Sequence, residues 1–99
     1  MTAPATSELQ HDDRNVRVTL WRFPPGTETG WHVHEFDYVV VPVQGGSLTV
    51  ETRDGGRAAY PIRTAASYAR GKGTEHNILN ETDAEIAFVE IELKAAAPR

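Results

Sequence analysis

What most constrains this chain is its rhythm. No stretch carries the 3.6-residue periodicity of a helix of ordinary length, while short alternating runs closed by turn residues follow one another along most of its length. Residues 15–23 alternate, with Val16, Val18 and Leu20 on one face. Pro24-Pro25-Gly26 stops that run, because proline lacks the N–H a ladder needs and glycine accepts a tight turn. Residues 30–34 form a second short strand. Residues 37–43 are rich in valine and fit a strand buried on both faces. Residues 47–53 and 57–62 flank Asp54-Gly55, a strong hairpin signal, and 67–70, 75–79 and 85–93 complete the set. "RTAASYAR" is the only sustained helical alternative, and it is too short and too closely flanked by turns to stand as a helix.

That makes about eight strands in a chain of 99 residues, enough for one domain. A flat sheet of that many strands would leave long exposed edges, so closure into a barrel or a double-sheet roll is expected. The all-β domain is placed at residues 14–94. Residues 1–13 are expected to be a disordered lead-in and 95–99 a frayed tail.

Composition removes several functions. There is no cysteine, so disulfides, thiolate zinc fingers and thiol catalysis are excluded. The net charge is -4 and the basic residues are scattered, which argues against nucleic acid as a partner. No apolar run approaches the roughly 18 residues of a membrane span, and no secretory leader is evident, so the cytoplasm is the expected location.

The chemistry is concentrated in "GWHVHEFDY", residues 30–38. Residues two apart in a strand project to one side, so His32 and His34 can converge on one metal ion while Val33 points away. By itself the pair is equally a half-exposed strand that happens to carry two imidazoles. A third histidine, His76, lies on another expected strand just after a glycine-rich turn, and a barrel can bring it to the first two. His11, in the polar lead-in, reads as a solvated bystander. Imidazole ligands suit Zn, Cu, Fe and Ni.

These residues make the chain resemble a small single-domain cupin, a jelly-roll-type antiparallel β-barrel. The first cupin motif runs glycine, five residues, His-x-His, three or four residues, glutamate, six residues, glycine. Gly26, His32, His34, Tyr38 and Gly45 fall on it, with tyrosine at the glutamate position. The second motif is matched by Gly73, His76 and Asn80, with Ala65 and Gly71 standing where glycine and proline are usual. The resemblance spans residues 16–93 and implies a divalent metal on His32, His34 and His76. Iron is the first expectation, and manganese, nickel, zinc and copper stay open.

Tyr38 is the departure that matters. Regular alternation would put it on the face of the two histidines, where it is expected to act as a catalytic hydrogen-bond donor beside the metal. A direct ligand, or an aromatic that simply fills the barrel, are the alternatives. Glu35 and Asp37 have the opposite parity and are expected to face out, with a replacement ligand from one of them left open. Three neutral ligands leave the ion its full charge, which favours an anionic or chelating small molecule. The resemblance then implies dioxygenase-like chemistry. A metal- or small-molecule-binding module without turnover, and an isomerase or lyase on a sugar-acid-like substrate, are the alternative functions. Compact cupins commonly pair, so a homodimer is expected, with Trp21 and Trp31 as contact candidates. Glu90 and Glu92 alternate with Val89, Ile91 and Leu93 and are expected to face solvent, and Arg22 to lie on the outer surface. Asn80 is expected to tie a turn.

Overall fold

The turns set the architecture, and each is held by side chains suited to it. Thr52 to Gly56 closes a hairpin in which Asp54 Oδ1 accepts from the Gly56 N–H at 2.9 Å and Gly55 takes φ 89°. After Phe23 the two prolines lead to Gly26, whose φ of 80° redirects the chain. Asn80 is fully buried at another bend. Its Nδ2 donates to the Phe23 and Ala84 carbonyls, both at 2.8 Å, and its Oδ1 accepts from the Thr82 N–H at 2.9 Å.

The computed structural model describes residues 2–94. Among these residues there is no helix. The strands are β1 (Ala3–Pro4), β2 (Thr6–Asp12), β3 (Val16–Phe23), β4 (Thr27–Glu28), β5 (His32–Val33), β6 (Asp37–Gln44), β7 (Gly46–Glu51), β8 (Arg57–Ile62), β9 (Tyr68–Arg70), β10 (Glu75–Asn80) and β11 (Ile86–Leu93). They form two sheets, one ordered β1-β4-β10-β7-β8 with β5 paired to β10, the other β2-β3-β11-β6-β9. All pairings are antiparallel except the short β1–β4 contact. No helix among the described residues is long and apolar enough to cross a membrane.

The core lies between the sheets and includes Phe23, Tyr38, Val40, Leu48, Ile62, Ile78, Ile86 and Phe88. Phe23 and Phe88 meet at 5.5 Å between ring centroids, and each buried ring contributes roughly 2–3 kcal/mol of transfer free energy.

Three expectations are corrected. Residues 6–12 are not a disordered lead-in but strand β2, paired with β3 from Thr6↔Arg22 to Asp12↔Arg17. Every β2 side chain is exposed, so composition marks the segment as solvated although its backbone completes a ladder. The turn into β3 is made by Asp13, whose Oδ1 accepts from the Asn15 and Val16 N–H groups. Second, Glu90 does not face solvent. It is 8% exposed and lies on the inner face of β11, while Val89 and Ile91 point out. Third, β6 is buried on one face only, and Val39 and Val41 are half-buried on the outside. The expected frayed tail, 95–99, lies outside the described residues.

Candidate metal centre

His32 and His76 sit directly opposite each other in the β5–β10 pair, so their side chains share a face. His34 follows β5 and is anchored by its backbone. Its N–H donates to the Thr74 carbonyl at 2.9 Å and its carbonyl accepts from the Gly73 N–H at 2.8 Å. The three rings meet inside the barrel. Nε2 of His32 lies 3.1 Å from Nε2 of His34, which lies 3.2 Å from Nε2 of His76.

Those distances suit a shared cation. With metal–nitrogen bonds of about 2.1 Å, the nitrogen–nitrogen edge is about 3.0 Å on an octahedral face and about 3.4 Å in a tetrahedron. The observed edges fall between the two. The tautomer also fits. Nδ1 of His32 is 2.9 Å from the Gly30 carbonyl, which can only accept, so that nitrogen carries the proton and Nε2 presents its lone pair. Burial lowers His34 to about 4, helped by the neighbouring His32 and Arg70. Burial likewise lowers His76 to about 3, with His32, His34 and Arg70 adding to it. Both rings are therefore neutral near pH 7, the form that binds metal. The three histidines are positioned to bind a metal ion.

Tyr38 reaches the same place from the other sheet. The chain bends at Glu35 and Phe36, leaves the β5 sheet and enters β6. Regular alternation is broken there, yet the Tyr38 ring stacks on His34 at 3.9 Å between centroids and 18° between planes. The crossover between sheets, rather than a continuous strand, brings the two together. Tyr38 is 3% exposed, and burial pushes its hydroxyl up to about 12, so the phenol keeps its proton. Glu35 and Asp37 are exposed, and Asp37 Oδ1 accepts from the Lys72 N–H at 2.8 Å. His11 is exposed and contacts Asp13 at 2.7 Å, remote in the fold from the three imidazoles.

Sequence reasoning missed the second half of this interior. Arg70 of β9 pairs with Tyr38 of β6, which puts its side chain on the inner face. Its Nη1 donates to the Tyr60 hydroxyl at 2.9 Å. Tyr60 and Tyr68 meet edge to face at 5.7 Å. Only the β6–β9 register reveals Arg70, and nothing in the linear sequence announces which strands pair. Trp21 packs inward against the core, whereas Trp31 is 52% exposed. Arg22 is exposed, 4.0 Å from Glu85. A groove of about 570 Å³ is lined by Glu28, Trp31, Glu51 and Asn77 and lies on the other side of β10 from His76.

No family model matches the chain. Two antiparallel sheets folded over three convergent imidazoles are the cupin arrangement, and the chain belongs to the cupin family. A solved cupin domain from Bordetella pertussis is 48% identical and superposes with a TM-score of 0.92, covering 96% of this chain and 98% of that one. A protein of Pseudomonas aeruginosa named β-alanine degradation protein BauB is 48% identical over 90 residues, 91% of this chain and 94% of that protein. More distant, and similar in fold alone, is an RmlC-like cupin from Methanocaldococcus jannaschii, with 13% identity, a TM-score of 0.75 and coverage of 90% and 79%.

Proposed function

We propose that this protein is a metal-dependent cupin enzyme, an iron-type oxygenase acting on a small anionic or chelating molecule. The observation that carries the reading is the donor set: three convergent imidazoles, two of them held neutral by burial, with a protonated phenol where a carboxylate ligand would otherwise stand. An ion in that set keeps its full charge and attracts an anionic ligand strongly in a partly dry interior. When bound, a redox-active ion of this kind supplies open coordination positions and electrons for dioxygen chemistry. The chain's own residues do the rest. The Gly30 carbonyl fixes the His32 tautomer, burial keeps His34 and His76 neutral, and Tyr38 offers one O–H next to the site. The relative named for β-alanine degradation supports small, carboxylate-bearing molecules as the compounds to try first.

The test pairs elemental analysis of untagged protein with dioxygen uptake over a panel of small acids. Each of His32→Ala, His34→Ala and His76→Ala is expected to lower metal content severely, and uptake is expected to require both iron and substrate. Full occupancy in His76→Ala would refute the three-histidine site. Turnover without dioxygen would move the protein to the isomerase or lyase class. Ligand binding without turnover under any metal would make it a binding module. Two copies of the chain are further proposed to associate through the outer face of the β3-β11-β6 sheet.

A further inference from the structure

We infer that Arg70 forms, beside the metal centre, a subsite for the carboxylate of the ligand. This rests on the oxygenase reading only in placing both groups on the inner face of the barrel. Of the cations among the described residues, Arg17, Arg22, Arg53, Arg57 and Lys94 each lie within ion-pair distance of an acid. Arg14, Arg63 and Lys72 make no such pair but are exposed, where water serves them. Arg70 also has no carboxylate partner, yet it is only partly exposed and its side chain enters the barrel opposite Tyr38.

Its surroundings are phenols. Its single hydrogen bond goes to the Tyr60 hydroxyl, and its Cζ lies 5.5 Å from the centroid of the same ring. A guanidinium has five N–H donors in a planar fork that matches a carboxylate. One donor is used on Tyr60, and the same ring, 5.5 Å from Cζ, adds a cation–π attraction that helps to hold the guanidinium in place. Tyr38 and Tyr68 lie close enough for its charge to act on them, and so do His34 and His76. The interior therefore holds a cation with no carboxylate within ion-pair distance among the described residues, on the same side of the sheets as the three imidazoles. Glu90, the acid buried in this region, acts on Tyr38 but is not among the charges that act on Arg70. A short bifunctional acid satisfies both ends: its carboxylate takes the open side of the Arg70 fork, and a hydroxyl, amine or carbonyl at the other end faces the three imidazoles. The ligand class is a small carboxylate with a second donor group.

The experiment titrates 3-hydroxypropanoate and 3-hydroxypropanamide into zinc-loaded protein by calorimetry, with zinc content measured on each sample. The acid is expected to bind at least tenfold more tightly than the amide. Arg70→Gln is expected to weaken acid binding at least tenfold and erase that preference while zinc content stays unchanged. Arg70→Lys, which keeps the charge and loses the fork, is expected to retain the preference with a several-fold loss of affinity, and it stands in if the glutamine variant does not fold. Acid binding and preference unchanged in Arg70→Gln would overturn the subsite, as would equal binding of acid and amide, or of neither, by the wild type. Metal-free protein separates the two readings. A preference that survives there and vanishes in Arg70→Gln sustains the subsite even if the three-histidine site fails. Stoichiometric zinc with an Arg70-independent preference has the opposite meaning.

Discussion

Glu90 sits in the interior without a counter-ion. Its neighbours across the ladder are Thr19 and Val40, the charge that acts on it is that of Glu92, and among the described residues it forms no ion pair. Burial pushes its carboxyl up to about 7, the negative charge of Glu92 adds to that, and the Trp21 N–H offsets part of it. A carboxyl whose folded-state value is raised above its unfolded value favours the native state below the unfolded value, and that advantage is lost as pH rises through the folded one. The cost should therefore accumulate from about pH 4.5 to about pH 7 and stay level above. Glu90→Gln keeps the shape and the acceptor for Trp21 but cannot ionise. In urea unfolding it is expected to match wild type near pH 4.5 and to be more stable at pH 8 by on the order of 1–3 kcal/mol. The difference between variant and wild type cancels the histidines that titrate in the same range, so a gap independent of pH would contradict the assignment. Tyr38 gives a second residue-scale outcome. Tyr38→Phe preserves the ring that stacks on His34 and removes only the hydroxyl. Metal affinity should stay within a few-fold while any turnover falls about 10²-fold, the usual loss for one positioned donor. A visible charge-transfer band in the iron-loaded wild type, absent in the variant, would instead make the phenolate a ligand.

At the scale of elements, legibility depended on whether a signal was local. The hairpin around Asp54-Gly55 appears in the structure and its second strand, 57–62, has the bounds expected of it, because the turn chemistry is written in adjacent residues, while the first strand ends at Glu51 rather than at residue 53. β2 was not legible, since a strand that buries nothing has no hydrophobic pattern to show. Alternation along β11 correctly grouped Glu90 with Glu92 and Val89 with Ile91. It could not say which group the barrel encloses, and the aliphatic face turned out to be the outer one. The histidine constellation was visible through its spacing, whereas Arg70 was hidden because it depends on the pairing of β6 with β9. The turn before β9 adds a prediction. Ala65 stands where the second motif usually has glycine, and it nonetheless adopts φ 70° while its N–H donates to the Pro42 carbonyl at 2.9 Å. The backbone has kept the glycine conformation with a Cβ in place, at an intrinsic cost of about 1–2 kcal/mol. Ala65→Gly removes that strain but adds about 0.5–1 kcal/mol of unfolded-chain entropy. The net expectation is a protein more stable by up to about 1 kcal/mol in chemical denaturation. A destabilised variant would show that the loop is held by contacts of the methyl group.

The whole molecule carries an imbalance between its two surfaces. Directly opposed residues share a face, so Val18 of β3, Val89 and Ile91 of β11, and Val39 and Val41 of β6 form one continuous half-buried aliphatic surface on the outer face, beside Leu20, which is itself buried. Val43 and Leu93 extend it and are 51% and 43% exposed. Such a surface is costly in water, and contiguous apolar patches beyond a few hundred Å² mark association sites on soluble proteins. Three strands about 4.8 Å apart and some eight residues long at about 3.3 Å each cover on the order of 400 Å². That is about half of the roughly 800 Å² per partner of a standard interface, so residues flanking the patch must complete the contact. A second copy is the occupant that fits, because a flat sheet face of one chemistry is self-complementary under two-fold symmetry. The valine-rich run of β6, expected to be covered on both faces, would then be covered on its second face by the partner. Trp21, turned into the core, contributes nothing to this contact, and Trp31 lies on β10's side of the barrel. Sedimentation equilibrium at micromolar concentration is expected to give twice the chain mass of 10.9 kDa. Val41→Lys and Ile91→Lys each place a charge in the middle of the patch without entering the core, and each should shift the protein to monomer while leaving metal content intact. A wild-type monomer, or a dimer indifferent to both substitutions, would place the association elsewhere or remove it.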